Sequence, residues 1–228
     1  LHCLRLLSMK LTFHGGAGMV TGANYLLEAE GTKILIDCGL HQGSNYYEKL
    51  NFEPFPYNPK EINAVFVTHA HIDHTGRLPK LLKDGFSGVV YSTPPTRDFA
   101  ELLLIDSEHM MLDEAKHLHK KPIYNMDDVA ALMSHWQGVA YHQPVNVGPF
   151  KITLANAGHI LGSSLVIIEG PAEKGKSSPS TGSGDKIRII FSGDLGNSPA
   201  PMIGATEVMD GTDYCVVEST YGDRLHEG

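Results

Sequence analysis

Residues 69–74 place three imidazoles and a carboxylate close together, as His69, His71, Asp73 and His74 in the run Thr68-His69-Ala70-His71-Ile72-Asp73-His74-Thr75-Gly76. The H-x-H-x-D-H pattern directly follows the apolar stretch Ala64-Val65-Phe66-Val67, so it falls at the end of a buried strand. Imidazole nitrogen and carboxylate oxygen are the donors that a borderline divalent ion such as zinc selects. Other donors stand at further strand ends. Asp37 closes Ile34-Leu35-Ile36, His159 follows Ala157-Gly158, and Asp194 follows Ser192-Gly193. A glycine beside His159 and beside Asp194 frees the backbone next to a polar residue at a strand terminus. Taken singly, Asp37 also reads as a turn-forming residue and His159 as a satisfied core histidine. Alongside the cluster, a metal site becomes the better reading of both, with Asp37 placed to orient a ligand histidine from behind.

Strands are needed to bring these groups together, and the pattern predicts them at residues 10–13, 25–28, 33–37, 64–68, 88–92, 150–154, 164–168, 187–191 and 213–217. Helices are predicted at 45–52, 78–83, 96–119 and 126–136. In the long helix Phe99, Leu102, Leu103, Met110, Met111 and Leu112 recur with helical spacing and are expected in the core, as is Trp136. His14-Gly15-Gly16-Ala17-Gly18 reads as a glycine-rich turn, and Pro54, Pro56 and Pro59 mark a loop. Residues 173–186, rich in Ser, Gly and Lys, read as a mobile hairpin loop. Strands near both ends with helices between and after them predict two packed sheets flanked by helices, an α/β or α+β layered domain whose strand order stays open.

Composition narrows the functional classes. The 228 residues are 42% hydrophobic and 19% charged, as in an ordinary globular domain. No apolar stretch approaches the ~18 residues of a membrane span, so no membrane partner is expected. Net charge is −8 with no Lys/Arg run, so if the substrate is a polyanion, bound metal or a missing part of the protein must supply most of the local positive charge. Cys3, Cys38 and Cys215 are widely spaced and odd in number, which argues against a disulfide framework and for a reducing cytoplasm; Cys38 and Cys215 are expected in the core. Residues 1–8 read as a non-native leader before Met9, and residues 9–228 as the domain proper.

In order, Asp37, the run from His69 to His74, His159 and Asp194 resemble motifs one to four of the metallo-β-lactamase superfamily. The neighbouring runs His74-Thr75-Gly76-Arg77-Leu78-Pro79, Gly158-His159-Ile160-Leu161-Gly162-Ser163, Phe191-Ser192-Gly193-Asp194-Leu195-Gly196 and Glu218-Ser219-Thr220-Tyr221-Gly222-Asp223-Arg224 resemble its β-CASP branch. That branch comprises RNA-processing ribonucleases related to the cleavage-and-polyadenylation endonuclease. The resemblance implies an αββα sandwich: two mixed sheets face to face with helices outside, incomplete at the carboxyl end. It implies two zinc ions, with His69, His71 and His159 on one, Asp73 and His74 on the other, and Asp194 bridging them. Asp37 would lie behind a ligand, and Glu218 would match an acidic catalytic residue that hydrogen-bonds a histidine of a companion domain. The implied activity is RNA phosphodiester hydrolysis by a hydroxide held between the metals, with Asp73 orienting it and accepting its proton.

The match to the branch stops short. Its inserted β-CASP domain and returning segment, with a last ligand histidine, have no counterpart here, so the sequence is expected to be the amino-terminal portion of a longer enzyme. The only histidine beyond His159 is His226, whose context fits the branch's ordinary sequence rather than the missing ligand. A weak second metal site is therefore expected, together with exposed sheet edges that invite self-association. The competing readings are a small-molecule hydrolase acting on a β-lactam, thioester or lactone at the same site, and an inactive metal-binding module. His14 and His41 lie in loops that could face substrate. His109, His117, His119, His135 and His142 are expected to be structural or surface residues.

Overall fold

A computed structural model describes residues 2–6, 8–118, 121–172, 186–196 and 201–224. Its elements run β1 (His2–Leu6), β2 (Met9–Gly15), β3 (Asn24–Ala29), β4 (Thr32–Ile36), α1 (Asn45–Glu48), β5 (Ala64–Phe66), α2 (Ile72–Thr75), α3 (Leu78–Lys83), β6 (Val89–Ser92), α4 (Pro94–Leu118) and α5 (Met126–Ser134). They continue with β7 (Trp136–Gly138), β8 (Val145–Val147), β9 (Phe150–Asn156), β10 (Ser164–Pro171), β11 (Lys186–Phe191) and β12 (Tyr214–Val216). Seven strands form one sheet in the order β1-β2-β3-β4-β5-β6-β7, and five form the other in the order β12-β11-β10-β9-β8. Both are mixed: β4 to β7 pair in parallel, as do β11 and β12, and the remaining pairs are antiparallel.

Period-two alternation in strands covered on both faces explains their near-continuous apolar runs. In β4, Ile34 and Ile36 point into one cluster and Leu35 into another; in and after β5, Ala64 and Phe66 alternate with Val65 and Val67. The first cluster joins these residues to Phe150, Ile152, Leu154, Val166, Ile168, Ile189 and Phe191, so it is the layer between the sheets. The second packs the other face of the seven-stranded sheet against Leu78 and Leu81 of α3, Ala100 and Leu104 of α4, and Val129, Leu132 and Met133 of α5. On the outer face of the five-stranded sheet, Ala155, Ala157, Leu165 and Ile190 pack against Leu195 and Met209.

Several expectations need correction. The core face of α4 is the row Thr96, Ala100, Leu104 and Glu108, with Leu103, Ile105 and Met111 partly buried beside it. Phe99, Leu102, Met110 and Leu112 are exposed. A small Ala100 lets the helix approach closely, and the Thr93 and Thr96 hydroxyls both donate to Gly162 O, so polar and small residues take positions that hydrophobicity alone assigned to larger ones. Trp136 is buried, with its indole N–H donating to Ser92 Oγ at 2.8 Å, but it opens strand β7 rather than ending a helix. Cys215 is exposed because β12 is an edge strand; Cys38 is buried, and all three cysteines are free. Residues 2–6 form strand β1 and pair in antiparallel register with β2. Residues 173–185 lie outside the described residues, and the strands flanking them pair as an antiparallel hairpin. None of the described helices is long and apolar enough to cross a membrane.

Opposite burial of two phenylalanines tests this packing. Phe66, 1% exposed and stacked on Tyr91 at 5.1 Å, should lose about 3–5 kcal/mol on truncation to alanine. Phe99→Ala, at an exposed position, should change stability by no more than ~0.5 kcal/mol. Urea denaturation midpoints measure both; comparable losses would contradict the assigned helix face.

Candidate metal centre

Parallel pairing of β4 with β5 aligns Ile36 with Phe66 and so brings Asp37 beside Thr68. Asp37 adopts a left-handed backbone, φ 58°, and its N–H donates to Phe66 O at 3.0 Å. Its fully buried carboxylate accepts from the Thr68 N–H and the Thr68 hydroxyl, both at 2.8 Å, and from His74 Nδ1 at 2.7 Å. The Thr68 hydroxyl also lies 3.0 Å from His69 Nδ1. With Nδ1 of both histidines engaged on this side, each Nε2 faces the other way.

Backbone contacts hold the loop carrying the cluster. Ala23 N–H donates to Asp73 O, Cys38 N–H to His74 O and Leu40 N–H to Ile72 O, at 2.8–2.9 Å. Gly39 permits this approach, since a Cβ there would lie 1.5 Å from Asp73 O. Arg77, buried, locks the turn through its Nε donating to Gly39 O at 2.7 Å. The five-stranded sheet joins at the same point: Ser164 N–H donates to Thr68 O at 2.8 Å, and Ser163 Oγ accepts from His159 N–H at 3.0 Å. Gly158 and Gly193 both have positive φ, which turns the chain at the ends of β9 and β11 so that His159 and Asp194 point to the cluster.

Two groups of donors result. His69, His71, His159 and Asp194 each offer one atom, and these four atoms all lie within 4.8 Å of one another. His71 Nδ1 is 3.0 Å from His69 Nε2 and 3.3 Å from His159 Nε2, while Asp194 Oδ2 is 3.6 Å and 3.7 Å from the same two nitrogens. Four ligands at ~2.0–2.1 Å around a tetrahedral ion would be about 3.3 Å apart, so these spacings fit a metal. On the other side His74 Nε2 lies 3.3 Å from Asp194 Oδ1 and 3.8 Å from Asp73 Oδ2. Asp194 therefore turns one oxygen to each group.

Burial, reinforced by the neighbouring His74, His71 and His159, holds His69 well below the usual imidazole range, and burial with His159 lowers His71. Both rings are then neutral at pH 7, as a ligand must be. Burial also opposes a charge on His74, but Asp37, Asp194 and Asp73 outweigh it and push the group up to about 10 in the metal-free chain. Asp73 is raised by burial; for Asp194 the same effect is outweighed by the hydrogen bond and charge of His74 and the charges of His159 and His71.

Every residue expected at the metals is thus in or beside this cluster, and Asp37 lies directly behind it. Glu218 sits apart from the donors: its Oε1 accepts from Leu195 N–H at 2.8 Å. His14 packs on Tyr57, and neither of its ring nitrogens has a hydrogen-bond partner among the described residues; His41 is buried behind the glycine-rich turn. His109 and His142 are exposed, and His135 Nδ1 is 3.0 Å from Gly88 O. The side chains of His117, His119 and His226 lie outside the described residues. Thr68 carried no assigned role in the sequence, and its signal was a hydroxyl placed between a buried strand and the first histidine.

This fold and donor set place the chain in the metallo-beta-lactamase superfamily, to which it belongs: residues 26–175 match the family described as the metallo-beta-lactamase superfamily domain. Fold and donors together support a metal cofactor. Among curated relatives, Ribonuclease TTHA0252 of Thermus thermophilus is 34% identical over 96% of this chain and 45% of its own length. Transcription termination factor FttA of Methanosarcina mazei is 40% identical over 69% of this chain and 24% of its own. Cleavage and polyadenylation specificity factor 73 of Drosophila melanogaster is 29% identical over 93% and 29%. The chain spans less than half the length of these relatives. A metallo-beta-lactamase from Cronobacter sakazakii shares the fold, with TM-score 0.52 and 16% identity over 89% of this chain and 68% of that one.

His14 and His41 predict a pH response. Burial, with the charge of Arg77, lowers both His14 and His41 to about 4. The unfolded chain, with imidazoles near ~6.5, takes up protons first as pH falls. Their contribution to stability is therefore complete above about pH 6.5 and lost as pH drops toward 4. Metal-free protein should melt at progressively lower temperature across that window, and His14→Phe should shallow the decline while removing two unpaired buried nitrogens. An unchanged slope in the variant would contradict the assignment.

Proposed function

We propose that this chain is the metal-bearing part of a zinc-dependent hydrolase that cleaves RNA phosphodiester bonds. The observation that carries the reading is Asp194, whose two carboxylate oxygens face two separate groups of donors, as a dinuclear centre requires. His69, His71 and His159 would hold one ion, Asp73 and His74 the other, and Asp194 both. Zinc suits the imidazole-rich donor set. When bound, such ions would supply Lewis acidity that activates water as a nucleophile and offsets charge on phosphoryl oxygens.

The protein's own residues do the rest. Thr68 and Asp37 engage Nδ1 of His69 and His74, so each Nε2 faces the site without rotation of its ring, and His74 would give up its Nε2 proton when an ion binds. Asp73, whose Oδ2 lies 3.8 Å from His74 Nε2, would orient the attacking water and receive its proton. Support for RNA as the substrate comes from the relatives called ribonuclease and cleavage and polyadenylation specificity factor, and from the β-CASP-like neighbours of the ligand motifs. Those relatives are longer, so a companion domain would complete the substrate cleft in the full protein.

Incubation with a fluorogenic RNA, in parallel with nitrocefin and a thioester, tests this reading. RNA cleavage should stop on chelation and return with zinc, and Asp73→Asn should lower kcat by about 10²–10⁴. Faster metal-dependent turnover of the β-lactam or thioester would contradict RNA as the substrate.

A further inference from the structure

Asp194 lies on a turn that leaves β11, and three contacts with the end of β12 pin that turn. Ser192 N–H donates to Val216 O at 2.9 Å, Ser192 Oγ accepts from Glu218 N–H at 3.0 Å and donates to Gly193 O at 2.6 Å, and Leu195 N–H donates to Glu218 Oε1 at 2.8 Å. The side of the turn away from β12 closes on the loop of His159, where Gly196 N–H donates to Ala157 O at 3.0 Å. There is little room between the two loops, since a Cβ on Gly196 would lie 1.6 Å from Gly158 O. Gly193 itself packs on Thr68, with its φ of 53°. The residue between these pins, Asp194, is therefore aimed by its neighbours' backbone.

Among the described contacts, the side chain of Glu218 supplies the acceptor for Leu195 N–H. A carboxylate accepting from a backbone amide makes a charge-assisted bond, shorter and stronger than a neutral one. Its second oxygen lies 3.4 Å from Thr220 N, within its own turn. Glu218 is not among the residues whose donor atoms converge on the metal centre.

We propose that Glu218 is a positioning residue that sets Asp194 through the backbone of Leu195. It needs no contact with metal or substrate to do so, and the bond exists in this chain without any companion domain. The role rests on the reading of Asp194 as a ligand shared by both donor groups. Removing the acceptor should loosen the turn, and residues that orient a metal ligand typically change affinity 10–100-fold.

Two readouts, neither using hydrolysis, test this: hydrogen exchange of the Leu195 amide in metal-free protein, and zinc affinity by competition with a chromophoric chelator. Glu218→Ala should speed Leu195 exchange and weaken zinc binding by ~10-fold or more. Glu218→Gln, whose side-chain carbonyl can still accept the bond, should stay close to the parent in both. Ser192→Ala, which removes the second pin, should shift both readouts in the same direction as Glu218→Ala. Unchanged exchange and affinity in Glu218→Ala, or equal damage by Gln and Ala, would overturn the proposal. Asp194→Asn separates the two levels. If it leaves zinc affinity intact, the ligand reading itself fails; if it weakens zinc binding while Glu218→Ala does not, only the positioning role fails.

Discussion

The buried carboxylate of Asp37 is the constraint around which the site is arranged. Taking an ionised group out of water is costly unless hydrogen bonds replace its hydration. Here the Thr68 N–H, the Thr68 hydroxyl and His74 Nδ1 do so, all within 2.8 Å. Each of these bonds also fixes something else. The amide bond ties the end of β4 to the segment after β5, the hydroxyl sits beside His69, and the imidazole bond leaves His74 Nε2 facing Asp194. The five-stranded sheet attaches to the same residue through Ser164 N–H and Thr68 O. A single buried charge thus joins sheet register, the approach of the sheets and the tautomers of the histidines.

Left-handed backbone occurs at the strand ends where the side chains must turn inward. Asp37 has φ 58°, and glycines precede His159 and Asp194 with φ 69° and 53°. A non-glycine residue held in this region costs on the order of 1–3 kcal/mol, retained when surrounding contacts over-determine it. At Asp37 those contacts are the three donors and the bond from its own N–H to Phe66 O. Strand ends therefore carry the donors, while the ladders of β4, β5, β9 and β11 behind them keep an unbroken register.

What could be read from the sequence follows from local physics. Strands covered on both faces announce themselves as apolar runs, so the layers of both sheets and the strand ends bearing Asp37, His69, His159 and Asp194 were legible. β7 and β8 are three residues long and lack a run of buried apolar positions, and were missed. The face of α4 was misread because its buried row includes Thr96, Ala100 and Glu108, and which residues face inward depends on the loop at Gly162 that the helix meets. Thr68 and Leu195 gain their importance from partners 31 and 23 positions away, a relation that sequence spacing does not display.

The central claim is that these imidazoles and carboxylates form a metal centre before any companion domain or substrate is present. X-ray absorption at the zinc edge, on chain loaded with zinc and freed of excess, tests it most directly. The account predicts bound zinc with a nitrogen and oxygen shell, imidazole scattering beyond it, and loss of that signature in His69→Ala. No retained zinc, or a first shell containing sulfur from the exposed Cys3 or Cys215, would contradict it.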